Sequence, residues 1–297
     1  MTSRSTPIRL LWRLLDRQRF LRGVTFAMIL PALAATATAQ GLRGIQNDIQ
    51  LCNRIDNIII LPDVRISSCT AIIDSGAATP RSLAIAYNNR GNAYNTKGEY
   101  NRAIEDYNQS IAADSNYARA FNNRGVAYQK LGEYKRAIED FDRSIRLDPR
   151  SAPVFVNRAE IYGKIGEYRR ALLDYGEAIR LRPDLEGAWN GRCWIRAIVG
   201  ELRSALTDCN ESLRLKPNVA VTLDSRGLTY LKMERSEASI ADYNSALQLN
   251  PQLASSLYGR GLIKRRRGNS AEGDADIAAA IAISPNIASE FARYGVR

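Results

Sequence analysis

The sequence predicts an all-α protein, a solenoid of stacked antiparallel helix hairpins, from three observations. A shift of 34 residues carries NNRGNAY at 88–94 onto NNRGVAY at 122–128, and GEYNRAIEDY at 98–107 onto GEYKRAIEDF at 132–141. Apolar residues recur inside this period at helical spacing, in two stripes. Glycine and proline recur between the stripes, where they end helices. A single hairpin cannot bury its own apolar face, so the units must stack.

The composition argues against catalysis. The chain of 297 residues contains no histidine, which excludes Ser-His and Cys-His pairs and histidine-based zinc sites. It also shows no phosphate-binding loop and no serine elbow, so we expect no enzyme activity, cofactor or metal. The formal net charge is +11. Much of this charge lies in the first 39 residues, and the remainder is too weak and too spread out to favour nucleic acid.

Residues 1–39 have the three parts of a secretory signal peptide. Residues 1–22 are basic, residues 23–36 are apolar or small, and Ala37-Thr38-Ala39 forms a cleavage site before Gln40. The apolar stretch is shorter than the roughly 20 residues that a membrane span needs. Cleavage near Ala39 predicts a periplasmic or secreted bacterial protein. The alternative is an uncleaved leader, which would make the chain an envelope-anchored structural protein.

The 34-residue period and its patterning resemble the tetratricopeptide repeat (TPR) family. The resemblance covers residues 84–285 and implies a right-handed superhelical TPR solenoid that acts as a protein-binding scaffold. It divides the chain into six units: 84–117, 118–151, 152–185, 186–219, 220–253 and 254–287. Residues 40–83 are interpreted as a degenerate TPR-like helical hairpin, and residues 286–297 as a C-terminal capping helix. Positions below are numbered 1–34 within each unit.

Four cysteines fall at facing places in two hairpins. Cys193 and Cys209 occupy positions 8 and 24 of the fourth unit, which lie at the same level on the two helices. Cys52 and Cys69 have nearly the same spacing in the degenerate hairpin. An exported chain with an even cysteine count favours the disulfides Cys52–Cys69 and Cys193–Cys209. Four free, buried cysteines are the alternative.

A row of arginines and a row of aspartates run through all six units. Position 7 is always arginine and position 23 always aspartate, and the two positions lie at equal level across a hairpin. Pairing within a unit leaves no orphan, so we predict structural ion pairs, with capture of an anion by the arginine row as the alternative. The pairs are Arg90–Asp106, Arg124–Asp140, Arg158–Asp174, Arg192–Asp208, Arg226–Asp242 and Arg260–Asp276.

In TPR arrays the first helix of each unit lines a concave groove, and the resemblance carries several side chains of this chain into it. Asparagines cluster in the first half, where amide groups could hold the backbone of an extended peptide. They are Asn88, Asn89, Asn92, Asn122, Asn123 and Asn157. The alternative is that they merely solvate the groove. Asn88 stands where the family's two-carboxylate clamp has lysine, which argues against a receptor for chaperone tails.

Cations line one edge of the predicted groove, and this edge would favour an acidic partner segment. They are Lys130, Lys164, Lys232, Arg265 and Arg266. The run 264–267 is interpreted as a solvated helix end, with contact to a polyanion as the alternative. The second half of the groove carries apolar residues, including Trp194 and Tyr258, with Leu228, Leu231 and Leu262. They predict either a docking patch for a partner or a surface that is covered by packing.

Overall fold

The computed structural model describes residue 44, residues 46–53 and residues 60–296. Residues 46–53 are helical, and no β-strand occurs in these ranges. The predicted signal peptide, residues 1–39, lies outside the described residues. Fourteen further helices follow: α1 (Pro62–Asp74), α2 (Pro80–Thr96), α3 (Tyr100–Ala113), α4 (Ala118–Lys130), α5 (Tyr134–Leu147), α6 (Ala152–Lys164), α7 (Tyr168–Leu181), α8 (Glu186–Val199), α9 (Leu202–Leu215), α10 (Ala220–Lys232), α11 (Ser236–Leu249), α12 (Ala254–Arg266), α13 (Ser270–Ile283) and α14 (Ile287–Arg293).

The corner between the two helices of each unit has one repeated geometry. Position 15 takes a left-handed backbone in five units, with φ between 76° and 91°, and in each of these it is glycine. The fifth unit has Glu234 at this corner, and Glu234 still adopts φ of 58°. A non-glycine residue is strained at this φ, so the stacked units impose the corner on the local sequence.

Small residues at position 8 make room for large residues at position 24 of the same unit. A methyl group added to Gly125 would lie 2.7 Å from Phe141 Cε1, and one added to Gly91 would lie 2.7 Å from Tyr107 Cε1. The aromatic rings of Tyr107 and Phe141 are fully buried in these contacts. The two helices of a hairpin therefore approach closely only because one of them lacks side chains at the crossing.

The hairpins stack into a curved, right-handed superhelical solenoid. The first helices of consecutive units (α2, α4, α6, α8, α10 and α12) pack against one another along the array. Across the described residues, the backbones of the second helices of different units do not approach one another as those of the first helices do. The first helices are therefore closer together, which places them on the inside of the curve, and we call their concave surface the inner wall.

The first hairpin departs from its predicted boundary. Helix α2 begins at Pro80, inside the segment assigned to the degenerate hairpin, rather than at Ala84. Thr79 accepts a hydrogen bond from Ser82 N, and Pro80 has a fixed φ that suits the first turn, so together they start the helix early. Among the helices described, none is long and apolar enough to cross a membrane.

Candidate functional site

The inner wall has two halves, which differ in their side chains although their backbones repeat. We call the inner wall of units 1–3 the polar half and that of units 4–6 the covered half. The polar half carries the predicted asparagines, and the covered half carries the predicted apolar residues. Each half is built by three consecutive first helices, so positions 5, 6, 9 and 13 of each unit decide its chemistry.

The asparagines of the polar half form a hydrogen-bonded network between units. Asn157 donates to Asn122 Oδ1 at 3.0 Å, and Asn122 in turn donates to Asn123 Oδ1 at 3.0 Å. Asn123 donates to Asn88 Oδ1 at 2.9 Å and to Asn92 Oδ1 at 3.0 Å. The amides that were predicted to bind a peptide backbone thus bind one another first, and they link units 1, 2 and 3.

The N-terminal end of this network corrects part of the prediction. Asn88 is only 2% exposed, so it supports the wall from behind and is not available to a guest. Asn89 donates to Cys52 O and to Asn53 Oδ1, both at 3.1 Å, which joins the network to the helical residues 46–53. Asn122 and Asn157 remain partly exposed.

The predicted cations of the groove edge differ between the two halves in their ion pairing. Lys130 and Lys164 are exposed, and neither forms an ion pair with the described residues. Arg265 pairs with Asp274 at 3.2 Å, and within the run 264–267 Lys264 pairs with Asp276 at 3.1 Å. Arg266 is exposed. Opposite charges from the second helix of unit 6 thus accompany much of this run, which favours the solvated helix end.

The chain's own C-terminal segment lies on the covered half. Helix α14 packs on both helices of unit 6, as a cap would, and Tyr294, which follows it, reaches unit 4. Phe291 is 1% exposed and meets the ring of Tyr258 at a centroid distance of 4.8 Å. Tyr294 meets the ring of Trp194 edge-on at 5.3 Å. The terminal segment therefore packs on Trp194 and Tyr258, which favours a surface covered by packing over a free docking patch, although Trp194 still lines an open cavity.

Lys232 fastens this terminal segment. Its Nζ donates to Tyr294 O at 2.6 Å and to Ile198 O at 2.9 Å, and burial lowers its pKa. The carbonyl of Tyr294 is positioned because the helix ends there: Gly295 takes φ of 77°, and Val296 N donates back to Phe291 O. Lys232 thus caps the chain's own end instead of standing at a free edge, which corrects its predicted role.

Two adjoining cavities remain beside the terminal segment. The larger, of about 570 Å³, is bounded by α8, α10 and α12 on one side and by α14 on the other. The smaller, of about 510 Å³, extends toward Lys164 of the polar half and toward Tyr134 on the second helix of unit 2. Glu160, Tyr175 and Glu290 line both cavities. The groove therefore stays open from the polar half up to the terminal segment.

A buried carboxylate lies in the wall of the larger cavity. Asp224 stands at position 5 of unit 5, where units 1, 2 and 4 have asparagine. It accepts hydrogen bonds from Ser256 Oγ at 2.6 Å and Ser255 Oγ at 2.7 Å. Burial raises the pKa of Asp224 from 3.8 to about 6, although these two hydrogen bonds oppose the shift.

The arginine row is bonded within units and also between them. Arg124 forms a bidentate pair with Asp140, at 2.8 and 2.7 Å, and the same pairing occurs in all six units. A third nitrogen, Nη1, reaches back to position 25 of the preceding unit, where Arg124 meets Asn108 Oδ1 at 2.6 Å. Sequence reasoning missed this acceptor, although position 25 is polar in most units. Arg192 is the exception, because its Nη1 faces Gly176, which has no side-chain acceptor. In this unit Arg196 adds a further hydrogen bond to Asp208.

The four cysteines lie at disulfide distance in the predicted pairs. Cys52 and Cys69 are bonded with a Cα–Cα distance of 4.9 Å, and Cys193 and Cys209 with one of 5.3 Å. Each bond closes a loop inside one hairpin. The described residues contain no cluster of side chains that could hold a metal ion.

Comparison with known proteins agrees with this architecture. A TPR-repeat model matches residues 91–132, and tetratricopeptide-repeat models match residues 118–151, 152–185 and 222–253. No curated protein sequence matches the chain.

Three solved structures share the fold. A tetratricopeptide repeat protein from Parabacteroides merdae superimposes with a TM-score of 0.62 at 17% identity, over 85% of this chain and 98% of its own. YrrB, a TPR protein with an unusual peptide-binding site, gives 0.53 at 22%, over 66% and 98%. PilW, a widely conserved type IV pilus biogenesis factor, gives 0.62 at 17%, over 70% and 98%. The repeat models show that residues 91–185 and 222–253 are built of tetratricopeptide repeats, and the solved structures share the fold of the six stacked hairpins.

Proposed function

We propose that this protein is a non-catalytic scaffold of the bacterial cell envelope that holds an extended segment of a partner protein on its inner wall. The observation that carries the proposal is the open groove of the polar half, which runs into the two cavities. TPR arrays are protein-interaction scaffolds, and YrrB and PilW are a peptide-binding and a pilus-biogenesis example of the fold.

The asparagine network suits this role because it is ordered before a guest arrives. Asn122 and Asn157 are held by their neighbours, so little side-chain entropy remains to be lost when a peptide backbone binds. Each amide retains a second N–H, and Asn157 also retains its carbonyl oxygen. Lys130 and Lys164 add positive charge at the same part of the wall, which favours an acidic stretch of the partner there.

The proposed location rests on the cysteines and on the leader. Two hairpins closed by disulfide bonds are typical of an oxidising compartment such as the periplasm. The composition of residues 1–39 favours export with cleavage near Ala39. N-terminal sequencing of the exported protein should return Gln40 as the first residue, whereas retention of residues 1–39 would favour the envelope-anchored alternative.

Site-specific photocrosslinking in the native cell tests the docking surface. A photoreactive amino acid at Lys164, which lines the groove, should give a crosslink to one segment of a partner protein. The matched control replaces Lys135, an exposed lysine on the second helix of unit 2, and should give none. Equal crosslinking from both positions, or crosslinking from Lys135 alone, would contradict the proposal.

A further inference from the structure

The larger cavity on the covered half has an unusual charge for this chain. Its charged lining residues are Glu160, Asp224 and Glu290, and among the described residues that line it none is basic. The whole chain carries a formal net charge of +11, so three carboxylates without a cation are a local reversal. Lys164 and Arg293 line only the adjoining cavity. The larger cavity is therefore a place where the wall favours positive charge.

Aromatic rings form much of the remaining lining. Four aromatic residues contribute to the cavity: Trp194 from the inner wall, Tyr175 from the second helix of unit 3, and Phe291 and Tyr294 from the terminal segment. Trp194 and Tyr294 meet edge-on, so they cannot both cover their faces against each other. Aromatic faces attract ammonium and guanidinium groups, and the attraction grows when water is excluded.

Two polar groups in the cavity have no partner. Asn190 Oδ1 is buried and accepts no hydrogen bond. Tyr175 is 4% exposed, and its hydroxyl forms no hydrogen bond with the residues that the structure describes. The ring of Tyr175 reaches this place because unit 4 has Gly191 there; a methyl group on Gly191 would lie within 2.4 Å of the ring. Buried polar groups are nearly always satisfied, so Asn190 Oδ1 favours a site that is completed by a ligand.

We propose that this cavity binds a basic side chain, the guanidinium or ammonium group of an arginine or lysine in the docked segment of the partner. Such a group supplies N–H donors to Asn190 and Tyr175, meets the carboxylates of Glu160 and Glu290, and lies against the faces of the aromatic rings. The inference rests on the proposed function, because the basic side chain belongs to the segment held along the inner wall.

The proposal also predicts where the acidic and basic residues of the partner segment lie along the inner wall. Lys130 and Lys164 favour acidic residues over the polar half, and the cavity takes a basic residue at the edge of the covered half. The docked segment should therefore carry its acidic and basic side chains at separate places along the wall. The sequence predicts an acidic partner segment, and the proposal adds a basic side chain to that segment at the covered half.

A synthetic peptide library tests the inference apart from the function. The full chain is incubated with immobilised random heptapeptides, and the bound sequences are determined. We expect enrichment of sequences that contain arginine or lysine. Enrichment of sequences without basic residues would leave the docking function standing and overturn the basic-side-chain inference. Absence of any enrichment would count against both.

A matched pair of variants assigns the effect to the cavity. An enriched arginine peptide should bind about tenfold more tightly than the same peptide with neutral citrulline, and Glu160→Gln/Glu290→Gln should remove that difference. The control Asp184→Asn/Glu237→Gln makes the same charge change at exposed positions and should keep it. Urea unfolding checks that all variants fold. A preference for arginine that survives in Glu160→Gln/Glu290→Gln would overturn the assignment.

Discussion

The polar half and the covered half of the inner wall are made by the same hairpin, yet the chain's own terminal segment packs on only one of them. At position 5, units 1 and 2 have Asn88 and Asn122, whereas units 5 and 6 have Asp224 and Tyr258. The positions that build the hairpin, 7 and 23, do not differ at all. The comparison shows that the repeat separates its structural positions from its surface positions, so one fold carries two surfaces of different composition.

Removing the terminal segment should break this difference most strongly. A chain that ends at residue 286 loses the buried side chains of Ile287, Phe291 and Val296. Each contributes about 1.5–3 kcal/mol when fully buried, so we expect a loss of about 5 kcal/mol from the free energy of unfolding. Urea denaturation followed by circular dichroism measures it. The control Arg293→Ala, on the exposed side of the same helix, should change stability by less than about 0.5 kcal/mol.

The arginine–aspartate pairs should respond equally in both halves, which would sharpen the distinction between structure and surface. Arg124→Leu in unit 2 and Arg226→Leu in unit 5 each leave a mostly buried aspartate without its partner. We expect each to lower the free energy of unfolding by about 3 kcal/mol.

Arg119→Leu, an exposed position on the same helix as Arg124, is the control and should have little effect. Unchanged stability in Arg124→Leu would contradict the structural role of the pair. A loss in only one half would show that the two halves do not share one framework.

Asp224→Asn makes the covered half more like the polar half. Since the pKa of Asp224 in the folded chain is about 6 against an ordinary 3.8, the folded chain binds more protons between these pH values. The charged Asp224 therefore costs stability as pH rises through this window, and the cost is complete above pH 6. We expect Asp224→Asn to raise the free energy of unfolding by about 2 kcal/mol at pH 7 and by little at pH 4.

Urea midpoints of the two proteins at both pH values check this prediction. Asp184→Asn, an exposed position, is the control and should give equal changes at pH 4 and pH 7. A gain in Asp224→Asn that is independent of pH would contradict burial of the charge as its cause.

Two glycines, one from each half, should give effects of opposite sign. An added methyl group in Gly125→Ala meets Phe141 at 2.7 Å, so we expect a loss of about 1–2 kcal/mol from overpacking. Gly187 lies in α8 with no atom within 4 Å of the added methyl group. Gly187→Ala should therefore stabilise the chain by up to about 1 kcal/mol through helix propensity. Thermal unfolding compares the two, and destabilisation by both would count against close packing as the cause.

The fold was predictable from the sequence because its contacts repeat with the chain. The fixed period brings position 7 opposite position 23 in every unit, so the pairing of Arg124 with Asp140 follows from spacing alone. The corner at Glu234 shows that the same geometry persists where the favoured glycine is missing. Contacts of this kind depend only on one hairpin, and a single hairpin can be read from its own residues.

The candidate site was less predictable because its contacts cross several units. Tyr294 meets Trp194 from beyond the sixth unit, and this distance depends on the summed rotations between hairpins. The asparagines could be assigned to the groove, but their mutual bonds, such as that of Asn157 to Asn122, depend on the stagger of neighbouring helices. Neither the repeat period nor the composition determines the rotation between hairpins or the stagger of neighbouring helices.

The contacts of the terminal segment depend on the number of repeats that they span. The contacts of the arginine row would tolerate the gain or loss of a repeat, since none of them reaches further than one unit back. The terminal segment instead makes contacts that span units 4 to 6. Tyr294 packs on Trp194 of unit 4, and Lys232 of unit 5 donates both to Tyr294 O and to Ile198 O of unit 4. One more repeat between units 4 and 6 would separate Tyr294 from Trp194, so this contact requires the present number of repeats between them.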